Sequence, residues 1–302
     1  MNFTHLLAFL EVARAGSITA GAERLHVSQP AVTRELKELE DRLGVKLLDR
    51  QPRGVTLTEA GDVLRGYAER IFAMADVAEQ ELRELAGISS GHLAIGASAT
   101  VGVYRVPDYI ALFNAQYPKV SVELIVTNTE QVEQGLLEHR FRLGFVEGPF
   151  DPQVFDAHRI GSDEIVAVCS PLHPLASRTI APKDMAEKVV ILREPGSGTR
   201  ATVEAAYASL GIPIVPLMSV SNTEAIKRML MAEPAIAFVS SLSVETELER
   251  GALVRMKVRG LKIQRDLHMI WLKVQSHSPS AAAFAEIVLA RGGADELRRS
   301  SR

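Results

Sequence analysis

A single cysteine among 302 residues removes two possibilities at the outset. Cys169 has no partner for a disulfide within the chain, and it cannot supply a cysteine-built metal site. It stands in the apolar run IVAVCS, where a buried structural thiol is expected. Also missing is any apolar run near the roughly 20 residues that a membrane span requires. The stretch MNFTHLLAFLEVARAGS has no basic segment ahead of its apolar residues, and Glu11 and Arg14 interrupt them, so it does not read as a signal peptide. A cytoplasmic protein with no membrane partner is the expectation. Catalytic signatures are lacking too. Gly196-Ser197-Gly198 has not the spacing of a nucleophile elbow, and the Thr199-Arg200 that follows is not the Lys-Ser/Thr ending of a phosphate-binding loop. The eight histidines form no HExxH or other compact ligand pair. The expectation is therefore a protein with no catalytic residues, metal or cofactor.

What is present is an ordinary soluble composition, 47% apolar and 24% charged, in a chain long enough for two or three domains. The net charge of −3 hides a division. Residues 1–57 carry eight basic and seven acidic side chains, whereas residues 58–86 carry three and seven. A nucleic-acid reader needs a basic face rather than a basic average. Arg34, Lys37, Arg50 and Arg53 can supply one.

The first 57 residues read as helices around a tight turn, followed by a hairpin. Phe3, Leu6, Leu7, Leu10 and Ala13 recur at helical spacing over Thr4 to Ala15, and Gly16 ends that helix. Ser17 caps the next helix, Ile18 to Leu25, whose Ala20, Gly21 and Ala22 permit close helix approach. His26 and Val27 turn the chain, Ser28 caps a third helix, and Pro30 is tolerated in its first turn. Ala31, Val32, Leu36, Leu39 and Leu43 face inward along it. Gln29, Thr33 and Lys37 line an outer face beside Pro30 and Arg34, and these groups are suited to base edges and phosphates. A solvated face of an amphipathic helix would look the same. The next segment, LLDRQPRGVTLT, reads as a hairpin turning at Pro52-Arg53-Gly54, with Arg50 and Arg53 placed for the DNA backbone. From Thr58 a long helix carries Leu64, Ala68, Ile71, Ala75, Ala78, Leu82 and Leu85 in steps of four and three, a coiled-coil seam that implies a dimer. The alternative is a helix packed on its own domain.

From Gly91 strands and helices alternate. HLAIGAS, VSVELIV and RLGFVEG read as strands, with helices over 103–116 and 130–139 between them. A second set, EIVAVCS, VVILRE, IVPLMSV and AIAFVS, surrounds helices over 199–210 and 223–231, and HMIWLKV with a helix over 280–289 closes the chain. Two α/β units with parallel sheets fit this order, with crossings near residues 162 and 267. Ligands bind at the carboxyl ends of such strands. The loops there carry Ser98 and Thr100, Thr127 and Asn128, Glu147, Ser197 and Thr199, and Thr223. Each loop alone is better read as a helix cap; five at five strand ends favour a shared cleft able to hold an anion.

Residues 3–85 closely resemble the DNA-binding module of LysR-type transcriptional regulators. The resemblance rests on Ser28-Gln29-Pro30-Ala31-Val32-Thr33, Leu39-Glu40, Leu43-Gly44, Leu47, Arg50, Arg53 and Leu57-Thr58-x-Ala60-Gly61. Gly21 stands where that family usually has alanine, and Leu48 where it has phenylalanine. The second half is similar to the family's effector domain, itself similar to periplasmic binding proteins. RLGFVEGP, ILREPGSGTR and SNTEAIK look like the branch containing regulators of carbon fixation and of cysteine or sulfite metabolism. The resemblance implies an α/β chain with a winged helix-turn-helix at 1–57 and a linker helix at 58–90. It implies a two-lobed effector domain, one lobe at 91–162 and 267–302 and the other at 163–266. The implied partners are double-stranded promoter DNA, further copies in a dimer or homotetramer, RNA polymerase, and a small anionic metabolite. The implied DNA contacts are Ser28, Gln29, Pro30, Thr33, Arg34, Lys37, Arg50 and Arg53. The implied effector contacts are Ser98, Thr100, Thr127, Asn128, Ser197, Thr199 and Thr223. Glu147 would orient a hydroxyl or hold Arg193 or Arg200. Two other readings compete, a solute-binding transport component and an enzyme of small anions. The N-terminal module opposes the first and the missing nucleophile and metal sites oppose the second.

Overall fold

The structure is a computed structural model describing residues 2–51, 54–85, 91–188, 190–274 and 278–299. The chain divides into two compact units, Met1–Glu79 and Gln80–Arg302.

The first unit begins with α1 (Phe3–Ala15), α2 (Ile18–Arg24) and α3 (Gln29–Leu43), followed by the hairpin of β1 (Leu48–Gln51) and β2 (Gly54–Leu57) and the start of α4 (Glu59–Leu85). Local chemistry sets the boundaries. Asn2 Oδ1 accepts from the N–H of His5 at 2.8 Å and Ser17 Oγ from that of Ala20 at 3.4 Å, while Gly16 and Gly44 adopt left-handed backbones that end α1 and α3. Phe9, Val12, Ala22, Val32, Leu36, Leu39 and Leu47 form the core. A methyl on Gly21 would lie 2.6 Å from Val12 Cγ2 and 3.0 Å from Val12 Cα, so the glycine lets α2 press against α1. Leu48 packs against the same core from its edge.

Three residues expected to face inward do not. Phe3, Leu7 and Leu43 are exposed, whereas Leu6, Phe9, Leu10 and Val12 form the buried side of α1 and Val32, Leu36 and Leu39 that of α3. The expected seam of α4 is also divided. Ala68 is fully buried against Leu6 and Leu10, with Leu64 and Ile71 beside it, so this part packs on its own unit. Among the described residues, the large apolar side chains that α4 leaves exposed are Val63, Tyr67, Met74 and Leu82.

In the second unit β3 (Gly91–Ser98), α5 (Ala99–Tyr104), α6 (Val106–Gln116), β4 (Val120–Thr127), α7 (Thr129–Leu137) and β5 (Leu143–Glu147) come first. There follow the long β6 (Phe155–Cys169), β7 (Thr179–Ile180), α8 (Pro182–Ala186), β8 (Val190–Leu192), α9 (Gly198–Ser209), β9 (Met218–Ser219), α10 (Thr223–Ala232), β10 (Ile236–Ser240) and α11 (Ser241–Glu249). The chain ends with β11 (Val254–Arg255), β12 (Lys257–Val258), β13 (Ile263–Leu272) and α12 (Pro279–Arg299).

The main sheet runs β4-β3-β5-β13-β6-β10-β8-β9, with β11 on β6. Its flanks are parallel, as expected: β3 with β4 and β5, and β8 with β9 and β10. The centre is not. β6 and β13 pair antiparallel over ten residues each, so one mixed sheet replaces two parallel ones. The expected strands at 164–170 and 268–274 are only halves of these, because in 155–163 and 263–267 buried residues are interrupted by exposed or half-buried ones and form no continuous apolar run. The expected helix over 103–116 breaks at Arg105, since Pro107 cannot donate within a continuous helix. The strand expected over 214–220 shrinks to Met218–Ser219 because Pro213 and Pro216 lack ladder donors.

Helices cover both faces of each flank. Phe113, Phe145 and Phe284 centre one apolar cluster and Val132, Leu136 and Phe141 another, while Val203, Tyr207 and Phe238, and Ile191, Ile226 and Leu230, centre those of the other flank. Cys169 is buried here, and burial pushes its thiol up to about 11. Among the described residues no helix is long and apolar enough to cross a membrane.

Candidate functional sites

The first site is the exposed side of α3. Ser28, Gln29, Pro30, Arg34 and Lys37 are exposed there and Thr33 half-buried. Ser28 does not cap through its hydroxyl as expected. Pro30 has no N–H to offer, and the N–H of Ala31 bonds the Ser28 carbonyl at 3.0 Å instead. Thr33 Oγ1 donates to the Gln29 carbonyl at 2.9 Å and accepts from Gln29 Nε2 at 3.3 Å, which holds the Gln29 amide along the helix. Arg34 lies 3.7 Å from Glu35 and 3.9 Å from Glu38, a loose arrangement in water.

The hairpin is pinned to α3 by Glu40. Its carboxylate accepts from Lys46 Nζ at 2.6 Å, from the N–H of Leu47 at 2.9 Å and from that of Leu48 at 3.4 Å. Partial burial works against its charge, but Lys46 and the two backbone donors outweigh that and hold the carboxyl below its ordinary range. Val55 N–H bonds the Gly16 carbonyl at 2.9 Å and ties the other strand to the first helix. Arg50 stands on β1 opposite Val55. Arg53 lies outside the described residues.

The second site is a cavity of about 500 Å³ in the second unit. Thr100, Thr127, Asn128 and Thr223 line it, as expected of a cleft at strand ends. Asn128 and Asn222 cap α7 and α10, their Oδ1 atoms accepting from Gln131 and Ala225 N–H at 2.9 and 3.0 Å. Each therefore keeps its amide NH₂ as a donor beside the cavity. Thr127 Oγ1 is hydrogen-bonded to Gln131. The cation of the lining is Arg193, which sequence reasoning did not place among the contacts. Its Nε and Nη2 donate to Glu194 at 2.8 and 3.0 Å, and Nη1 to Thr223 Oγ1 at 3.4 Å.

Ser98, Glu147, Ser197 and Thr199 are not in the cavity wall. All four are buried. Glu147 holds neither Arg193 nor Arg200. It is hydrogen-bonded to the Ser98 hydroxyl, accepts from the N–H groups of Thr100 and Val101 at 3.2 and 3.3 Å, and lies 3.7 Å from Arg265 Nη1. Arg200 instead pairs with Glu204 at 2.7 Å. Arg265 is the hub that the sequence did not reveal. Its Nε and Nη2 donate to Asp163 at 2.9 and 2.7 Å, Nη1 to Thr199 Oγ1 at 2.8 Å, and Nη2 to Thr100 Oγ1 at 3.1 Å. Ser240 Oγ satisfies the other Asp163 oxygen at 2.9 Å. One guanidinium thus joins the starts of α5 and α9, on the two flanks of the sheet, to the crossing strands β6 and β13. Gly198 lets α9 come this close, since a Cβ there would sit 1.8 Å from the Glu147 carbonyl oxygen.

At the back of the cavity Lys227 donates to Glu247 at 2.8 Å and to the Ser243 carbonyl at 3.2 Å, and pairs with Glu224 at 2.5 Å. Burial disfavours its charge, but the two carboxylates outweigh it and raise its pKa, so it stays a cation.

Comparison with known proteins agrees in both units. Residues 3–62 match the bacterial regulatory helix-turn-helix protein, lysR family, and residues 86–293 match the LysR substrate binding domain. The chain is 33% identical over 290 residues to a RuBisCO operon transcriptional regulator from Allochromatium vinosum, spanning 96% of each. Full-length CbnR, solved in complex with its target DNA, superposes with a TM-score of 0.72 at 27% identity, covering 97% of this chain and 100% of that one. The regulatory domain of CcmR from Synechocystis, solved in complex with 2-PG, shares the fold of the second unit (TM-score 0.61, 23% identity, 67% of this chain and 97% of that one). With a helix-turn-helix unit, an effector-binding unit and relatives that are regulators rather than enzymes, this chain belongs to the LysR family of DNA-binding transcriptional regulators.

Proposed function

We propose that this regulator reads promoter DNA with α3, flanks it with the β1–β2 hairpin, and is switched by a small anionic metabolite in the cavity beside Arg193. The carrying observation is the cavity itself: threonine hydroxyls, two capping amides and one buried arginine converge on about 500 Å³. CcmR, a relative by fold, binds 2-PG in its regulatory domain, which supports the anionic class. The arginine's present partner is Glu194. An incoming anion therefore takes the place of the Glu194 carboxylate at Arg193 and gains the amide and hydroxyl donors around it.

On the DNA side, Ser28, Gln29, Pro30, Thr33, Arg34 and Lys37 are the contacts of the helix, and Arg50 and Arg53 those of the hairpin. Glu40 fixes the angle between the two. The corresponding division of the chain is 1–57 for DNA, 58–90 for the linker helix, 91–162 with 267–302 for one effector lobe and 163–266 for the other. Separate apolar clusters on the two flanks of the sheet support it. Dimers form along the exposed Val63, Tyr67, Met74 and Leu82 of α4, and pairs of dimers give a tetramer acting in the cytoplasm with RNA polymerase. Effector control requires that the anion bind two arrangements with different affinity, since equal affinity shifts nothing.

The test is thermal denaturation of the full chain with increasing 2-PG, inorganic phosphate or sulfate. A ligand of the native state raises Tm with its concentration, by about 2.7 kcal/mol of stability at a hundredfold excess over Kd. Arg193→Gln should abolish the rise. A rise that survives Arg193→Gln places the anion elsewhere, and no rise with any of the three removes the anionic class.

A further inference from the structure

The sequence offers no compact metal-ligand spacing, yet folding assembles one between helices 30 residues apart. His5 on α1 faces α3, where Glu35 and Glu38 are one turn apart on the same side. His5 Nε2 lies 3.1 Å from Glu35 Oε2 and 3.3 Å from Glu38 Oε2, and the three ligand atoms lie within 4.8 Å of one another. We propose that His5, Glu35 and Glu38 form a site for a zinc-class divalent cation that staples α1 to α3 and frees Arg34.

Three observations carry this. The first is spacing. Ligand atoms about 2.0–2.1 Å from a tetrahedral zinc stand about 3.3 Å from one another, which is the spacing already held by the imidazole and each carboxylate. Glu38, the most exposed of the three, closes the remaining gap by a side-chain rotation. The second is the imidazole's surroundings. One Nε2–H cannot point at two carboxylates together, and both lie within 3.3 Å of it. A cation between the three groups uses the Nε2 lone pair and neutralises both acids. The third is donor type. One imidazole and two carboxylates suit zinc and its transition-metal neighbours; calcium and magnesium select all-oxygen sets. The exposed side leaves a position for water.

The consequence runs through Arg34. Among the described residues its ionic neighbours are Glu35 and Glu38, the two carboxylates the metal takes. Metal binding releases the guanidinium toward DNA and adds positive charge to the face that carries it. This last step rests on the reading of α3 as the DNA-contacting helix, whereas the metal site itself does not.

The experiment uses the full-length protein stripped with a chelator, with Zn²⁺ titrated calorimetrically and Co²⁺ followed by its visible absorption. The expected result is one more bound ion per chain in the wild type than in either His5→Gln or Glu38→Gln. Glu38 is exposed, so its variant keeps the fold and decides the matter if His5→Gln does not fold. Equal stoichiometry and affinity in wild type and Glu38→Gln would overturn the site. A promoter fragment should bind several-fold tighter with Zn²⁺ than with chelator, and the difference should vanish in Glu38→Gln. Metal bound without that tightening overturns the link to Arg34. Intact DNA discrimination in Arg34→Ala removes the DNA role of Arg34 and leaves the metal stoichiometry as the separate reading of the site.

Discussion

Replacing Arg265 by methionine should be among the most damaging single changes in the second unit. The side chain is 1% exposed and faces two carboxylates that are themselves almost wholly buried, Glu147 at 2% and Asp163 at 0%. Methionine keeps much of the volume and removes four hydrogen bonds. Glu147 retains the Ser98 hydroxyl and two backbone donors, but Asp163 keeps only Ser240. An ion pair broken inside a protein costs about 3–5 kcal/mol, because the remaining charge has lost its partner and cannot regain water. With a urea m-value of about 3 kcal/mol/M for a unit of this size, the midpoint should fall by about 1–2 M. Trp271 is the only tryptophan and lies on β13, so its fluorescence follows this unit within the full chain. The double variant Arg265→Met with Asp163→Leu should recover part of the loss, since it removes the stranded charge along with its partner. A single variant that loses less than about 1 kcal/mol would refute the reasoning, as it would mean water already reaches the network. A double variant as damaged as the sum of the singles would also refute it.

Gly198→Ala should force α9 from β5, because its methyl meets the backbone oxygen of Glu147 rather than a movable side chain. A loss of about 1–3 kcal/mol is expected, and an unchanged Tm would show that the approach is looser than drawn. Arg34→Ala should cost about 1–3 kcal/mol of specific promoter binding, and an undiminished preference for the site over random DNA rejects its role in base reading. Arg53→Ala should weaken binding to all sequences and lower the salt slope by about one, and an unaltered slope means no phosphate contact. Glu133 is half-buried near Asp151 and Glu130, and burial first, then these two charges, raises its carboxyl to about 7. The folded chain therefore holds an extra proton between about pH 4.5 and 7, so this group's contribution to stability falls as pH rises through that window and levels off above it. Glu133→Gln should gain stability relative to wild type on going from pH 5 to pH 8; an equal Tm difference at both pH values overturns the assignment.

The parts legible in the sequence are those whose signals are local. Gly16, Ser17 and Gly44 each act on a neighbour within a few residues, and the helix boundaries around α1, α2 and α3 follow from them. The inner parallel strands β5, β8 and β10 announce themselves as apolar runs because both their faces are covered. β6 and β13 do not, since over 155–163 and 263–267 their buried residues are interrupted by exposed or half-buried ones, and half of each passes for loop. The same limit explains the cleft. Thr100, Thr127, Asn128 and Thr223 are found from their place after strands. Arg265 lies 102 residues from its ion partner Asp163 and 165 from Thr100, so no spacing rule relates them.

The misplacement of Ser98, Glu147 and Thr199 has a physical meaning of its own. A buried carboxylate at a strand end looks wrong for an anion site only if it faces the ligand. Here Glu147 faces Arg265, and Arg265 spends its remaining donors on one threonine from each flank of the sheet. Thr100 alone belongs to both sets, lining the cavity and accepting from the guanidinium. A ligand that engages the Thr100 hydroxyl therefore competes for, or polarises, the bond that joins the two flanks. Under the function proposed above, that makes the threonine more than one contact among several: it would be the point at which occupancy of the cavity is converted into a change in how the halves of the effector unit are held.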